Sequence, residues 1–199
     1  MSKKDNAENQ KEEKVEEINI VKELIGMAIY LLSVIVIVWF IIHFVGQRTE
    51  VSGLSMYNTL DDGDSLWVDK LSYRFKDPER FDIVVFPYRD SGEYFIKRVI
   101  GLPGEKVRID EEGKIYINDE VLNEDYGYEV IMPENIRRAS ENIVIGDDEY
   151  FVMGDNRNNS MDSRFIEVGN IKREELVGKA AFRMWPLSKI GKIDKTSED

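Results

Sequence analysis

Apolar and polar residues follow two different patterns along this chain. Ile25 to Val45 reads IGMAIYLLSVIVIVWFIIHFV, without a charged residue. At 1.5 Å per residue a helix of that length spans roughly 30 Å, the thickness of a bilayer core. The run is predicted to be a retained transmembrane helix, 25–45. Its apolar core exceeds the roughly 7–15 residues of a secretory leader, and Gly46-Gln47-Arg48-Thr49 is not an A-x-A cleavage site. A buried helix of a soluble protein is rarely apolar on every side. The polar segment before it, 1–24, is expected to be disordered or a frayed helix.

After the span the apolar runs shorten. Ser65–Asp69 (SLWVD), Asp82–Pro87 (DIVVFP) and Tyr94–Ile100 (YFIKRVI) read as strands. Lys106–Asn118 alternates on both sides of Asp110-Glu111-Glu112-Gly113, a hairpin signature. Asn142–Ile145 and Glu149–Met153 add further strands, and only Lys172–Val177 has a helical look. The expected fold class is mainly β: a single N-terminal transmembrane helix, then one all-β domain over 46–199, with 106–147 as an inserted lobe.

Tyr94–Ile100 carries the first candidate for chemistry. Side chains alternate along a strand, so Phe95, Lys97 and Val99 share a face. A lysine between apolar neighbours loses hydration, which disfavours the ammonium and lowers its pKa. Such an amine serves as a general base. The alternative is a lysine that snorkels to water at a sheet edge. The stretch alone leaves both open.

Composition narrows the chemistry. The 199 residues include no cysteine and one histidine, His43, which lies in the apolar run. Thiol nucleophiles, disulfides and cysteine metal sites are excluded. So are the Ser-His-Asp triad and two-histidine zinc motifs. No metal or cofactor is expected. Hydrolysis by this chain needs a lysine, a carboxylate or an amino terminus as its base. A formal net charge of -12 argues against nucleic acid as a partner.

Two further stretches offer polar groups. Ser52–Leu60 (SGLSMYNTL) follows the span, and Gly53 permits an unusual backbone conformation before Ser55. A serine on a tight turn presents its hydroxyl and its N–H to one substrate atom; a plain polar loop has the same look. Gly154–Arg164 (GDNRNNSMDSR) packs Asp155, Arg157, Asp162 and Arg164 around Ser160 just after a hydrophobic strand. Charges that start at a core must pair and hydrogen-bond. Such a network would hold Ser160 against Lys97.

SGLSMYNTL, DIVVF, YFIKRVIGLPGE and GDNRNNSMDSR, in this order after one membrane span, resemble bacterial type I signal peptidase, peptidase family S26. The resemblance covers about Val51 to Arg164, and the short single-span form is similar to Gram-positive members. It implies a membrane-anchored serine endopeptidase that cleaves signal peptides at small-x-small sites. Ser55 would be the nucleophile and Lys97 the general base. Ser160 would hydrogen-bond the lysine amine, and Asp155, Arg157, Asp162 and Arg164 would keep the site rigid. Met56, Leu60, Phe95 and Ile96 would line the substrate pocket. The Ser55 N–H would be one oxyanion donor. The hydroxyl that some members carry two positions earlier is missing, since Gly53 stands there, with Ser52 adjacent. Asn58 replaces the family's usual proline, so looser positioning is expected with the dyad retained.

The implied partners are secretory preproteins and membrane lipid; the oligomeric state stays open. Lys11, Lys14 and Lys22 precede the span and Arg48 alone closely follows it, which places the N-terminus in the cytoplasm and the β domain outside. A scaffold for pilus or envelope assembly and a self-cleaving Ser-Lys protease are the competing readings. Intact Ser55 and Lys97 argue against the first, and the anchor argues against the second.

Overall fold

The computed structural model describes residues 3–89 and 92–193. Met1, Ser2 and residues 194–199, which belong to the expected 1–24 and 46–199 segments, lie outside the described residues. The chain divides into two units between His43 and Phe44.

In the first unit, α1 (Lys3–Phe40) runs through the polar and the apolar segments without a break. It leads into a π-helical turn, Ile41–Val45. Of the two states expected for segment 1–24, helix is the one observed. Its many Lys, Glu and Gln residues are strong helix formers. Ile20–Val45 is long and apolar enough to cross a membrane. Side chains from Ile20 to His43 are exposed.

The second unit is built on two antiparallel sheets. The larger has the strand order β1-β2-β11-β3-β4-β9-β10, with β12 paired to β11. Its strands are β1 (Gly46–Glu50), β2 (Ser65–Asp69), β3 (Ile83–Pro87), β4 (Tyr94–Gly101), β9 (Glu149–Met153), β10 (Ile171–Lys172), β11 (Gly178–Trp185) and β12 (Gly191–Lys192). The smaller has the order β7-β6-β5-β8, from β5 (Lys106–Ile109), β6 (Ile115–Ile117), β7 (Glu120–Val121) and β8 (Ile143–Val144).

Three apolar clusters fill the unit, and period-two alternation sorts the strands among them. Leu66, Val68, Ile83, Val85 and Ile96 pack with Val51, Met56 and Leu60 beneath the Ser55 loop. Val84, Phe86, Val99 and Val152 pack with Tyr73 and Tyr150 in a second cluster. Ile100, Phe151 and Met153 of the large sheet meet Val107, Ile109, Ile115 and Ile117 of the small one.

Two parts depart from the sequence reading. Lys172–Val177 holds no α-helix; it starts in β10 and continues as a single 3-10 turn, Arg173–Glu175, closed by the Glu175 carboxylate accepting from the Lys172 N–H at 2.7 Å. β11 was not expected, although it lies between β2 and β3. Register shifts at Ala180/Phe182 and Arg183/Trp185 break its period, so the strand leaves no alternating signal. The polar β1 was missed for a similar reason, since GQRTE lacks an apolar face.

Candidate active site

β4 is central here. Its Ile83–Arg98 to Pro87–Tyr94 register pairs it with β3 over most of its length. On the other side β9 covers only Arg98, Val99 and Gly101. Tyr94–Lys97 therefore has a strand partner on one side alone.

The Ser55 loop folds against that stretch. Its ends are tied, Val51 N–H to Asp64 O at 2.8 Å and Gly63 N–H to Val51 O at 2.9 Å. Gly53 sits at φ +93°, in the region that favours glycine, and its N–H donates to Asp62 Oδ1 at 2.7 Å. Space is open around a Cβ there, but that φ strains any other residue, so the missing hydroxyl is not replaced by a simple Gly53→Ser change. The Tyr57–Asn58 peptide bond is cis.

Lys97 Nζ lies 2.8 Å from Ser55 Oγ and donates to the Ile96 carbonyl at 3.0 Å. The lysine is 3 % exposed, so it does not snorkel. Burial pushes its amine down to about 8; Asp162 and Asp155 pull it back up, and Arg164 opposes them. The amine is thus neutral in a useful fraction of molecules near neutral pH.

The Gly154–Arg164 loop forms the wall behind the amine. Asp155 accepts two bonds from Arg98, Nε at 2.8 Å and Nη2 at 2.7 Å, with both side chains fully buried. Thr59 Oγ1 adds a bond to Asp155 at 2.6 Å. Asp162 is held in the same two-pronged way by Arg164, at 2.8 Å twice, and accepts from the Gly154 N–H at 3.0 Å. Burial would raise the Asp162 carboxyl, but the Arg164 bonds and charge outweigh it and hold the group below the usual carboxylate range. Arg157 forks onto Glu124 at 2.7 and 2.8 Å. The loop then grips the nucleophile's backbone: Asn156 N–H donates to Ser55 O and Asn156 Nδ2 to Leu54 O, both at 3.0 Å. Gly154 fits only as glycine, since a Cβ would stand 2.3 Å from Ser160 Oγ and 2.4 Å from Ser55 O.

Ser160 differs from expectation. Its hydroxyl is buried beside Gly154 and interacts with the Asp162 carboxylate, helping to hold that carboxyl low. The lysine's bonds go to Ser55 and Ile96 instead. Leu60 differs too. It packs beneath the loop with Val51 and Met56 and does not reach the groove beside Ser55. That groove, about 170 Å³, is lined by Met56, Phe95 and Ile96, with Val51 and Met161 beside them. Among the described residues no cluster of His, Cys, Asp or Glu fits a metal ion.

Residues the sequence did not single out complete the wall. Arg98 carries Asp155 and stacks 3.7 Å from the Tyr126 ring. Tyr128 donates its N–H to Asp155 O at 2.9 Å and packs edge-on to Tyr57. Glu124, Tyr126 and Tyr128 lie on one return segment after β7, so a strap from the small sheet braces both the Ser55 loop and the Gly154–Arg164 loop. The strap partners are far away in sequence, so no local pattern marks them.

The fold and site define a mainly β domain with a serine hydroxyl 2.8 Å from a buried lysine amine. Residues 24–185 match the family model "Signal peptidase, peptidase S26". The chain is 39% identical over 161 residues to the "Probable signal peptidase I-2" of Synechocystis, covering 78% of this chain and 70% of that protein. It is 38% identical to the "Signal peptidase I" of Leptolyngbya laminosa, covering 75% and 74%. It is 32% identical to the "Signal peptidase IB" of Staphylococcus aureus, covering 85% and 93%. The chain belongs to the signal peptidase family, peptidase S26, and is a hydrolase of that class.

Proposed function

We propose that this chain is a single-pass membrane endopeptidase that removes signal peptides from exported preproteins with a Ser55–Lys97 dyad. The observation that carries the reading is the 2.8 Å contact between Ser55 Oγ and a buried amine whose pKa is pushed down to about 8. Neutral Lys97 takes the Ser55 proton as the oxygen attacks the scissile carbonyl. The Ser55 N–H supports the oxyanion; one such donor is worth on the order of 3 kcal/mol in other hydrolases. The ammonium protonates the leaving amine, and water activated by the same lysine releases the acyl-enzyme. Ser160, buried beside Gly154 and Asp162, is the hydroxyl that would take up the amine once Ser55 is acylated.

The substrate adds as a strand beside Tyr94–Lys97, where β4 has room for one. Alternation turns the first and third side chains before the cut toward the floor of Met56, Val51 and Ile96. A groove of about 170 Å³ accepts small side chains there. The apolar span anchors the enzyme beside substrates that are themselves anchored, which raises effective concentration. The lysine bias puts the N-terminus in the cytoplasm and the peptidase domain outside.

The test is to incubate purified full-length protein with a preprotein bearing alanine at both positions, and with a variant bearing tryptophan at both. Cleavage of the first in trans, lost in Ser55→Ala, is expected. No cleavage, or comparable cleavage of both, would reject the reading. Protease added to intact spheroplasts should degrade the β domain; full protection would overturn the sidedness.

A further inference from the structure

We propose that the rim of this groove selects a cationic side chain, lysine or arginine, at an even-numbered position before the cleaved bond. The proposal rests on the cleavage reading above and names a substrate feature that reading lacks. An extended substrate that turns its odd-numbered side chains to the floor turns the even-numbered ones to the rim. The rim is not neutral. Glu50 ends β1 exposed, next to Val51, which is turned into the floor. Tyr94, 55 % exposed, begins β4 on the other wall. Glu50 and Lys97 are the charged residues that line the groove, and Lys97 is buried beside Ser55. A cation entering the rim therefore meets a carboxylate and an aromatic ring, and both attract it.

Arg48 pairs only loosely with this carboxylate. Its Nη2 stands 4.0 Å from Glu50 Oε2 with both side chains 67% exposed, a pair of little strength. Its Nε is committed to Ser65 Oγ at 2.7 Å.

The test uses full-length protein in detergent and a peptide panel with alanine at the first and third positions and lysine, glutamine or glutamate at the second or the fourth. Wild type should favour lysine over glutamate roughly threefold to tenfold in kcat/KM at one of these positions, as expected for a partly solvated charge pair. The preference should reside in KM and shrink with added salt. The ratio within one variant is the readout, so overall loss of activity does not obscure it. Glu50→Gln should bring the ratio near one, Glu50→Lys should invert it, and Tyr94→Leu should reduce it. Cleavage of every peptide with equal efficiency, or a lysine preference that survives Glu50→Gln, would overturn the proposal and leave the peptidase reading intact. Failure to cleave any peptide would overturn both.

Discussion

The wall behind Lys97 and the core between the two sheets are equally dry, yet they are filled in opposite ways. The wall holds Arg98, Asp155, Asp162 and Arg164, all essentially without solvent exposure. The inter-sheet core holds Ile100, Ile109, Ile115, Ile136 and Ile145 with Phe151 and Met153. Apolar packing is non-directional and tolerates small shifts. Buried ions cost desolvation, and each must keep its hydrogen bonds in fixed directions. What the second solution provides is orientation. The forks of Arg98 and Arg164 fix two carboxylates, the carboxylates fix the Gly154–Arg164 loop, and Asn156 fixes the Ser55 carbonyl. The small sheet contributes stability through its isoleucines and geometry through its strap.

The comparison breaks most visibly where chemistry is removed and the ions stay. Ser55→Ala should lower preprotein turnover by about 10,000-fold or more. Its unfolding free energy should stay within about 0.5 kcal/mol of wild type in a denaturant titration. Lys97→Arg should fail as badly, because a guanidinium is not deprotonated in proteins. The wild-type rate should rise with pH along a limb near 8, where the buried amine loses its proton. Turnover by Lys97→Arg above a few per cent of wild type (roughly, on the logic of a required base) would make the lysine a structural residue.

Next in size is the loss of one ion from the wall. Arg98→Ala leaves Asp155 buried with Thr59 and without its cation, and removes the partner of the Tyr126 ring. Such a break costs about 3–5 kcal/mol, and both stability and kcat should fall. Replacing Arg98 and Asp155 together by apolar residues should restore much of the stability and none of the kcat. A cost below about 1 kcal/mol for the single change would show that the ions do not hold the wall. In the other region, Ile109→Ala should cost about 2–4 kcal/mol through the cavity it leaves. Turnover per folded molecule should stay within about twofold, as for distant sites.

The two regions also differ in how legible they were. Strands rich in apolar residues, such as β2, β3, β4 and β9, announce themselves in SLWVD, DIVVF, YFIKRVI and EYFVM, although most of their residues are buried on both faces. The inter-sheet core follows from the same signal in the Lys106–Asn118 hairpin. The bulged β11 and the polar β1 do not alternate toward one face, so they were invisible. In the site, local patterns made Ser55 and Lys97 candidates, and only the resemblance gave them roles. Arg98 was not singled out. Glu124 and Thr59 were unreadable, since their partners lie 33 and 96 residues away and polar loop residues carry no periodicity. Ser160 and Leu60 were placed by resemblance, and the structure puts each just behind the surface it was expected to form.

The smallest expected effect tests whether the wall strains the very group it positions. Burial lowers Lys97 from 10.5 to about 8. The unfolded chain therefore binds this proton more tightly than the folded one. Between about pH 8 and 10.5 the unfolded state alone holds it, so stability rises with pH there; below 8 both states hold it and the folded state bears the full cost. One pKa unit is about 1.4 kcal/mol, so the shift bounds that cost near 3 kcal/mol. Lys97→Met keeps the length of the side chain and removes the charge, but it also forfeits the contact with Ser55 and the attraction of Asp162 and Asp155. The net gain at pH 7 should be on the order of 1–2 kcal/mol, in an inactive protein, and it should shrink toward about pH 10. Urea titrations of both proteins at the two pH values measure it. A loss of stability at pH 7, or a gain that does not change with pH, would mean that the lysine's charge is not strained, and its use as a base would need another cause.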